Sequence, residues 1–121
     1  MIQYHHENNK KEAFMLITNF ITKDDILEYL KTLKPTLKKE GIDKLGLFGS
    51  FAKDSASFDS DIDILLNTTD LFLQNYPAFK AISRLEDIKK DISNHFGGIK
   101  VDIADLAGLD SASIPKEVIY V

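Results

Sequence analysis

Cysteine is absent from the 121-residue chain. That rules out disulfides and thiolate metal sites and fits a reducing compartment. Positive charge is not in excess either: 15 Lys and Arg stand against 19 Asp and Glu, a formal net charge of −4. Broad binding to nucleic-acid phosphates draws on a basic surplus, so a general nucleic-acid binder is disfavoured, although a local site can still take a nucleotide. No apolar run approaches membrane-spanning length, and the first residues hold no basic region followed by a signal-type apolar stretch. The expected location is the cytoplasm, away from membranes. Repeats and low-complexity tracts are missing as well. The chain is 44% hydrophobic and 28% charged, enough apolar material for one domain with a core, but not for two.

One stretch organises the rest. Residues 45–48 form a short apolar run that reads as a buried strand, Gly49-Ser50 breaks it, and Ser60-Asp61-Ile62-Asp63 opens a second apolar run through Leu66. Alternation along a strand sends Asp61 and Asp63 to one side while Ile62 and Ile64 enter the core. Two carboxylates side by side at a buried strand are costly unless a cation sits between them. Oxygen ligands with room for water and phosphate suit Mg²⁺. Glycine permits close backbone approach, and a turn or helix starting at Ser50 would offer N–H groups and a hydroxyl to a phosphate. A phosphate cradle beside an Asp-x-Asp pair points to transfer chemistry on a nucleoside triphosphate.

The remaining segments are expected to frame this unit. Residues 1–22 read as an N-terminal extension: a polar stretch holding His5 and His6, taken as solvated rather than metal-binding, then a more apolar run from Glu12 that suits a short strand or helix. Thr22 is a plausible N-cap for a helix that Gly41 stops, with a kink or break near Lys34 because Pro35 lies inside the pattern. Residues 42–48 and 60–66 should pair antiparallel around a short helix at 50–53. Residues 67–77 read as turn and linker, with Leu71, Phe72 and Leu73 as anchors. Phe79, Ile82, Leu85, Ile88, Ile92 and Phe96 then recur at helical spacing, predicting an amphipathic helix over 78–96 laid on the sheet, capped by Gly97-Gly98.

Residues 99–104 read as a third strand, with Lys100, Asp102 and Ala104 on one face. If it lies beside the strand of Asp61 and Asp63, three carboxylates meet at one edge of the sheet; otherwise Asp102 faces solvent on an edge strand. Asp105 is the lesser substitute, placed just past the strand. The tail holds either a helical turn near Ser113 and Pro115 or a short strand over 118–121, with Tyr120 expected to pack.

Gly49-Ser50-Phe51-Ala52 followed by Ser60-Asp61-Ile62-Asp63-Ile64-Leu65 resembles the signature of the polymerase-β-type nucleotidyltransferases, most of all their minimal branch. The resemblance covers residues 24–121. It implies an α/β (α+β) fold, a small mixed β-sheet flanked by helices, with the nucleotidyltransferase domain over 23–121. It also implies transfer of AMP from ATP to a hydroxyl. In a two-metal site with Mg²⁺ ions roughly 3.5–4 Å apart, Asp61, Asp63 and Asp102 would be metal ligands, Asp102 also a proton acceptor. Gly49, Ser50, Phe51, Lys53 and Ser60 would bind the nucleotide. Minimal members resemble antitoxins that adenylylate an all-helical HEPN-type toxin, which makes such a protein the expected partner. Where the family usually has glycine this chain has Asp54, an added negative charge that Lys53 would offset and whose side chain tolerates a left-handed backbone. The alternative is a catalytically weak or inactive binding module that neutralises its partner by contact. Homo- or hetero-oligomers would form through the extension or through exposed apolar residues such as Phe51 and Phe58.

Overall fold

A computed structural model describes residues 21–121; the expectations for the extension, including His5, His6 and the apolar run after Glu12, lie outside the described residues. The chain runs α1 (Lys23–Glu40), β1 (Ile42–Phe48), α2 (Gly49–Ala52), β2 (Ile62–Thr68), α3 (Asp70–Asn75), α4 (Phe79–His95), β3 (Val101–Asp105) and β4 (Ile119–Tyr120). Between β3 and β4 lie 3₁₀ turns at Leu106–Gly108 and Ser111–Ser113. Among the described residues four strands form one sheet in the order β3-β2-β1-β4. β1 is antiparallel to β2 and β4, whereas β2 and β3 are parallel. No helix among the described residues is long and apolar enough to cross a membrane.

Helix α1 begins with a complete capping box. Thr22 Oγ1 accepts from the Asp25 N–H (3.1 Å) and the Asp25 carboxylate accepts from the Thr22 N–H (2.9 Å). Its apolar side buries Ile26, Leu30 and Leu37. The expected break at Pro35 does not occur: the helix runs unbroken for 18 residues. Pro35 is on the exposed side, where water can take the carbonyl that loses its N–H partner, while burial on the other side holds the helix together.

One core cluster joins that face to Ile42, Leu45 and Leu47 of β1, Ile62, Ile64 and Leu66 of β2, Phe72 of α3, and Ile88 and Ile92 of α4. Each fully buried Leu or Ile contributes about 1.5–3 kcal/mol, so this cluster is what fixes the strands that carry the acids. Residues 67–77 are not a linker. They include α3, whose Phe72 is fully buried while Leu71 and Leu73 are exposed. The stripe on α4 is core only in its second half, because Phe79 and Ile82 are 83% and 62% exposed. The helix overhangs the sheet at its first turns. The second strand starts at Ile62, two residues later than expected, and Phe51 is buried, which removes it as an exposed pairing residue. Tyr120 is half-exposed rather than packed.

Candidate active site

Antiparallel pairing of β1 with β2 and β4, together with parallel β2 and β3, puts the end of β1 at the same sheet edge as the starts of the other three strands. Phe48 of β1 pairs with Asp63, and Asp63 pairs with Asp102 in the next strand. Because paired residues point to the same face, these two carboxylates stand on adjoining strands on one side of the sheet. Asp61 precedes β2 by one residue, and the ladder is already closed there by the Ile62 N–H to the Lys100 carbonyl (2.9 Å). All three sequence-nominated acids therefore reach one edge, and Asp102 does not stand apart from the others.

The electrostatics reflect that gathering. Burial pushes the Asp63 carboxyl above the ordinary aspartate value, and the charges of Asp102 and Asp61 push it further, against a smaller opposing pull from Lys100. Lys100 Nζ lies 3.6 Å from Asp61 Oδ2. Reasoning from sequence gave Lys100 no role, although its position two residues before Asp102 on a strand was the available signal. Among the described residues no three acidic, histidine or cysteine side chains already converge as a metal cage. The donor set nevertheless fits a hard cation. It is made of carboxylate oxygens, it carries more negative charge than Lys100 neutralises, and burial with neighbouring carboxylates holds the half-buried Asp63 above the ordinary aspartate value.

Gly49 is the hinge between strand and loop. Its φ is +75°, and a Cβ there would collide with the Asp63 carboxylate, so no side chain can be added without moving that acid. Helix α2 follows, anchored by Phe51. The Phe51 ring is thus core, leaving its backbone as the part nearest the loop. The Ser50 carbonyl accepts from the Ser55 N–H (2.9 Å), and its half-buried hydroxyl makes no hydrogen bond among the described residues. Ser60 behaves differently: its hydroxyl accepts from the Ser57 N–H (2.8 Å), closing the turn that delivers Asp61.

Asp54 has φ +56°, the left-handed conformation that favours glycine and that Asp tolerates. Its carboxylate meets Lys23 Nζ at 2.9 Å and holds that ammonium above its usual range. Lys23, not Lys53, offsets the extra charge, because α1 begins beside the end of α2 in the fold. Lys53 is exposed and instead borders a cavity beside Gly49. Asp105 is the last residue of β3 rather than a residue beyond it, and it is occupied. Its carboxylate accepts from the Thr68 N–H (3.0 Å), the Thr68 hydroxyl (2.6 Å) and the Ala107 N–H (3.1 Å). It is no candidate for the third acid.

A family profile, two relatives and a solved structure are similar to this chain. A family profile described as "Polymerase beta, Nucleotidyltransferase" matches residues 31–120. A candidate protein adenylyltransferase of Methanocaldococcus jannaschii is 31% identical over 105 residues, covering 83% of this chain and 98% of the relative. The protein adenylyltransferase MntA of Thermococcus cleftensis is 28% identical over 105 residues, covering 84% and 97% respectively. Among solved structures, a candidate nucleotidyltransferase from Sulfolobus solfataricus overlaps 99% of this chain and 89% of its own, at 16% identity and a TM-score of 0.36.

Proposed function

The chain belongs to the polymerase-β nucleotidyltransferase family, and on that premise we propose that it transfers AMP from Mg²⁺-bound ATP to a hydroxyl on a partner protein. The observation that carries this reading is the pairing of Asp63 with Asp102 at the sheet edge where Gly49 abuts the Asp63 carboxylate. Protein adenylyltransferase is also the activity in the names of two relatives matched over nearly their whole length.

Asp61, Asp63 and Asp102 would hold the metal, and Mg²⁺ when bound neutralises triphosphate charge and stabilises the attacking and leaving oxygens. Ser50 and the backbone of Gly49 to Phe51 hold the β- and γ-phosphates, with Lys53 adding a positive charge. Ser60 serves by fixing the turn before Asp61. Asp102 accepts the proton of the acceptor hydroxyl. That oxygen bonds to the α-phosphorus as the bond from this phosphorus to the β-phosphate's bridging oxygen breaks. Pyrophosphate leaves, and AMP remains on the acceptor.

The relatives named protein adenylyltransferase point to a protein as the acceptor. The partner class we favour is an all-helical HEPN-type toxin, which makes the chain an antitoxin acting by adenylylation. The second reading, a module that neutralises its partner by contact, is favoured by the position of Lys100, which already engages Asp61. Incubation with α-³²P-labelled ATP, Mg²⁺ and the co-expressed neighbour separates the two. Label on the partner, lost with Asp61→Ala, supports transfer. A stable complex carrying no label supports the contact module.

A further inference from the structure

The edge that gathers the acids has a second flank. β4 runs antiparallel to β1, with Leu47 opposite Ile119 and Gly46 opposite Tyr120. The segment leading into β4 must therefore pass beside the end of β1, across Gly49 from the acids. There a cavity of about 330 Å³ is lined by Phe48, Gly49, Lys53, Pro115, Lys116 and Glu117. Lys53 and Lys116 are exposed and form no ion pair among the described residues. The three aspartates thus stand on one side of Gly49, and two lysines with one glutamate stand on the other.

The tail is seated firmly enough for this placement to matter. A Cβ on Gly46 would lie 2.8 Å from Val118 Cγ1 and 2.9 Å from the Ile119 carbonyl oxygen, so only glycine lets the tail cross β1 this closely. The Val121 N–H donates to the Leu45 carbonyl (2.9 Å), and Lys34 Nζ donates to the Val121 carbonyl oxygen (2.5 Å). The backbone that follows Lys116 is pinned, while the Lys116 side chain is exposed at the cavity rim.

We propose that Lys116, together with Lys53, forms a subsite for the β- and γ-phosphates, so that pyrophosphate departs on the β4 side of Gly49. This rests on the nucleotidyl-transfer reading above and adds to it a residue from the tail. The volume is at the lower end for a small-ligand pocket, enough for the polyphosphate but not for a whole nucleotide. Lysine is suited to the task as a mobile point charge rather than a fixed fork. Glu117 borders the same space and opposes anion binding. Its neutralisation should tighten it.

The test titrates inorganic tripolyphosphate, and separately AMP, into the wild type and into Lys116→Gln, Lys116→Arg and Glu117→Gln. Lys116→Gln should weaken tripolyphosphate about tenfold and leave AMP unchanged, the loss of one charge-assisted contact. Lys116→Arg should restore most of the affinity, and Glu117→Gln should raise it. Equal tripolyphosphate binding by the wild type and Lys116→Gln overturns the subsite, as does a wild type that binds no polyphosphate. Label transfer run in parallel keeps the two ideas apart. Transfer with an unchanged KM for ATP in Lys116→Gln removes the subsite alone. Loss of tripolyphosphate binding in Lys116→Gln, with no transfer by the wild type, keeps the subsite and removes the transferase reading.

Discussion

The two ends of the sheet treat the same chemical group in opposite ways. Where β1 begins and β2 and β3 end, every acid considered has a partner. Glu40 takes a two-pronged bond from Arg84 (2.6 and 2.9 Å) and a third from the Tyr76 hydroxyl (2.8 Å). Asp105 is held by Thr68 and Ala107, and Asp43 accepts from the Asn67 amide (2.8 Å). At the other end Lys100 pairs with Asp61 and pulls on Asp63, while the side chains of Asp63 and Asp102 have no hydrogen-bond or ion-pair partner among the described residues. Arg84 holds the Glu40 carboxyl below the usual glutamate range, whereas burial and neighbouring carboxylates hold Asp63 above the aspartate one. The first end stabilises the fold through its acids. The second keeps acids together at a cost in stability, an expense that the proposed metal site would account for.

The contrast is broken most severely by Asp63→Asn. Losing a second-sphere partner of a metal ligand typically costs about 10–100-fold, so removing a ligand should reduce AMP transfer by more than about a hundredfold, read as label incorporation. The same variant should melt at a higher temperature near neutrality. A carboxyl with a raised native pKa costs stability once ionised, so stability falls as pH rises from the ordinary value of 3.8 through the native one. The gain from Asp63→Asn should vanish below pH 3.8, where both states are protonated; a variant less stable than the wild type at neutrality would contradict the reading.

At the opposite end the sign reverses. Arg84→Ala should lower stability by about 2–3 kcal/mol, since it strands a partly buried carboxylate, with transfer per folded molecule unchanged. Chemical denaturation at several pH values checks it. The contribution of Glu40 is fully present above its unfolded value of 4.5 and is lost as pH falls through its lowered native one. The penalty of Arg84→Ala should shrink on acidification over that window. Thr68→Val, which removes the hydroxyl bond to Asp105 but leaves the backbone bond, should cost about 1 kcal/mol in the same assay.

The smallest effect sharpens the comparison at the active end. Asp54→Gly removes an exposed ion pair with Lys23 and keeps a residue suited to the left-handed backbone, so stability should barely change. Transfer should be unaltered. A large rise in transfer would mean that Asp54 had been restraining catalysis.

The strand–loop–strand unit was legible in the sequence because its signals are local: an apolar run, Gly49-Ser50, and alternation that places Asp61 and Asp63 together. Asp102 was legible as a charge inside a short apolar strand, but its pairing with Asp63 is a matter of sheet order. Contacts between distant segments were not. Lys23 reaches Asp54 across 31 positions and Arg84 reaches Glu40 across 44. Helix α3 was missed because one buried residue, Phe72, does the anchoring that periodicity needs several residues to reveal. Phe79 and Ile82 followed the helical stripe faithfully and still lie outside, since periodicity marks a face but not where the sheet beneath it ends. Lys116 gave no motif at all. Its only herald was Gly46, a glycine in mid-strand that marks close approach by another backbone.

The central claim, that the acid-gathering edge is a metal-dependent nucleotide site, is tested most directly by calorimetric titration of ATP with and without Mg²⁺. The wild type should bind ATP only with Mg²⁺, and the doubly substituted Asp61→Asn/Asp63→Asn protein should lose that binding while remaining folded. Binding that is indifferent to Mg²⁺, or that survives in the double variant, would contradict it.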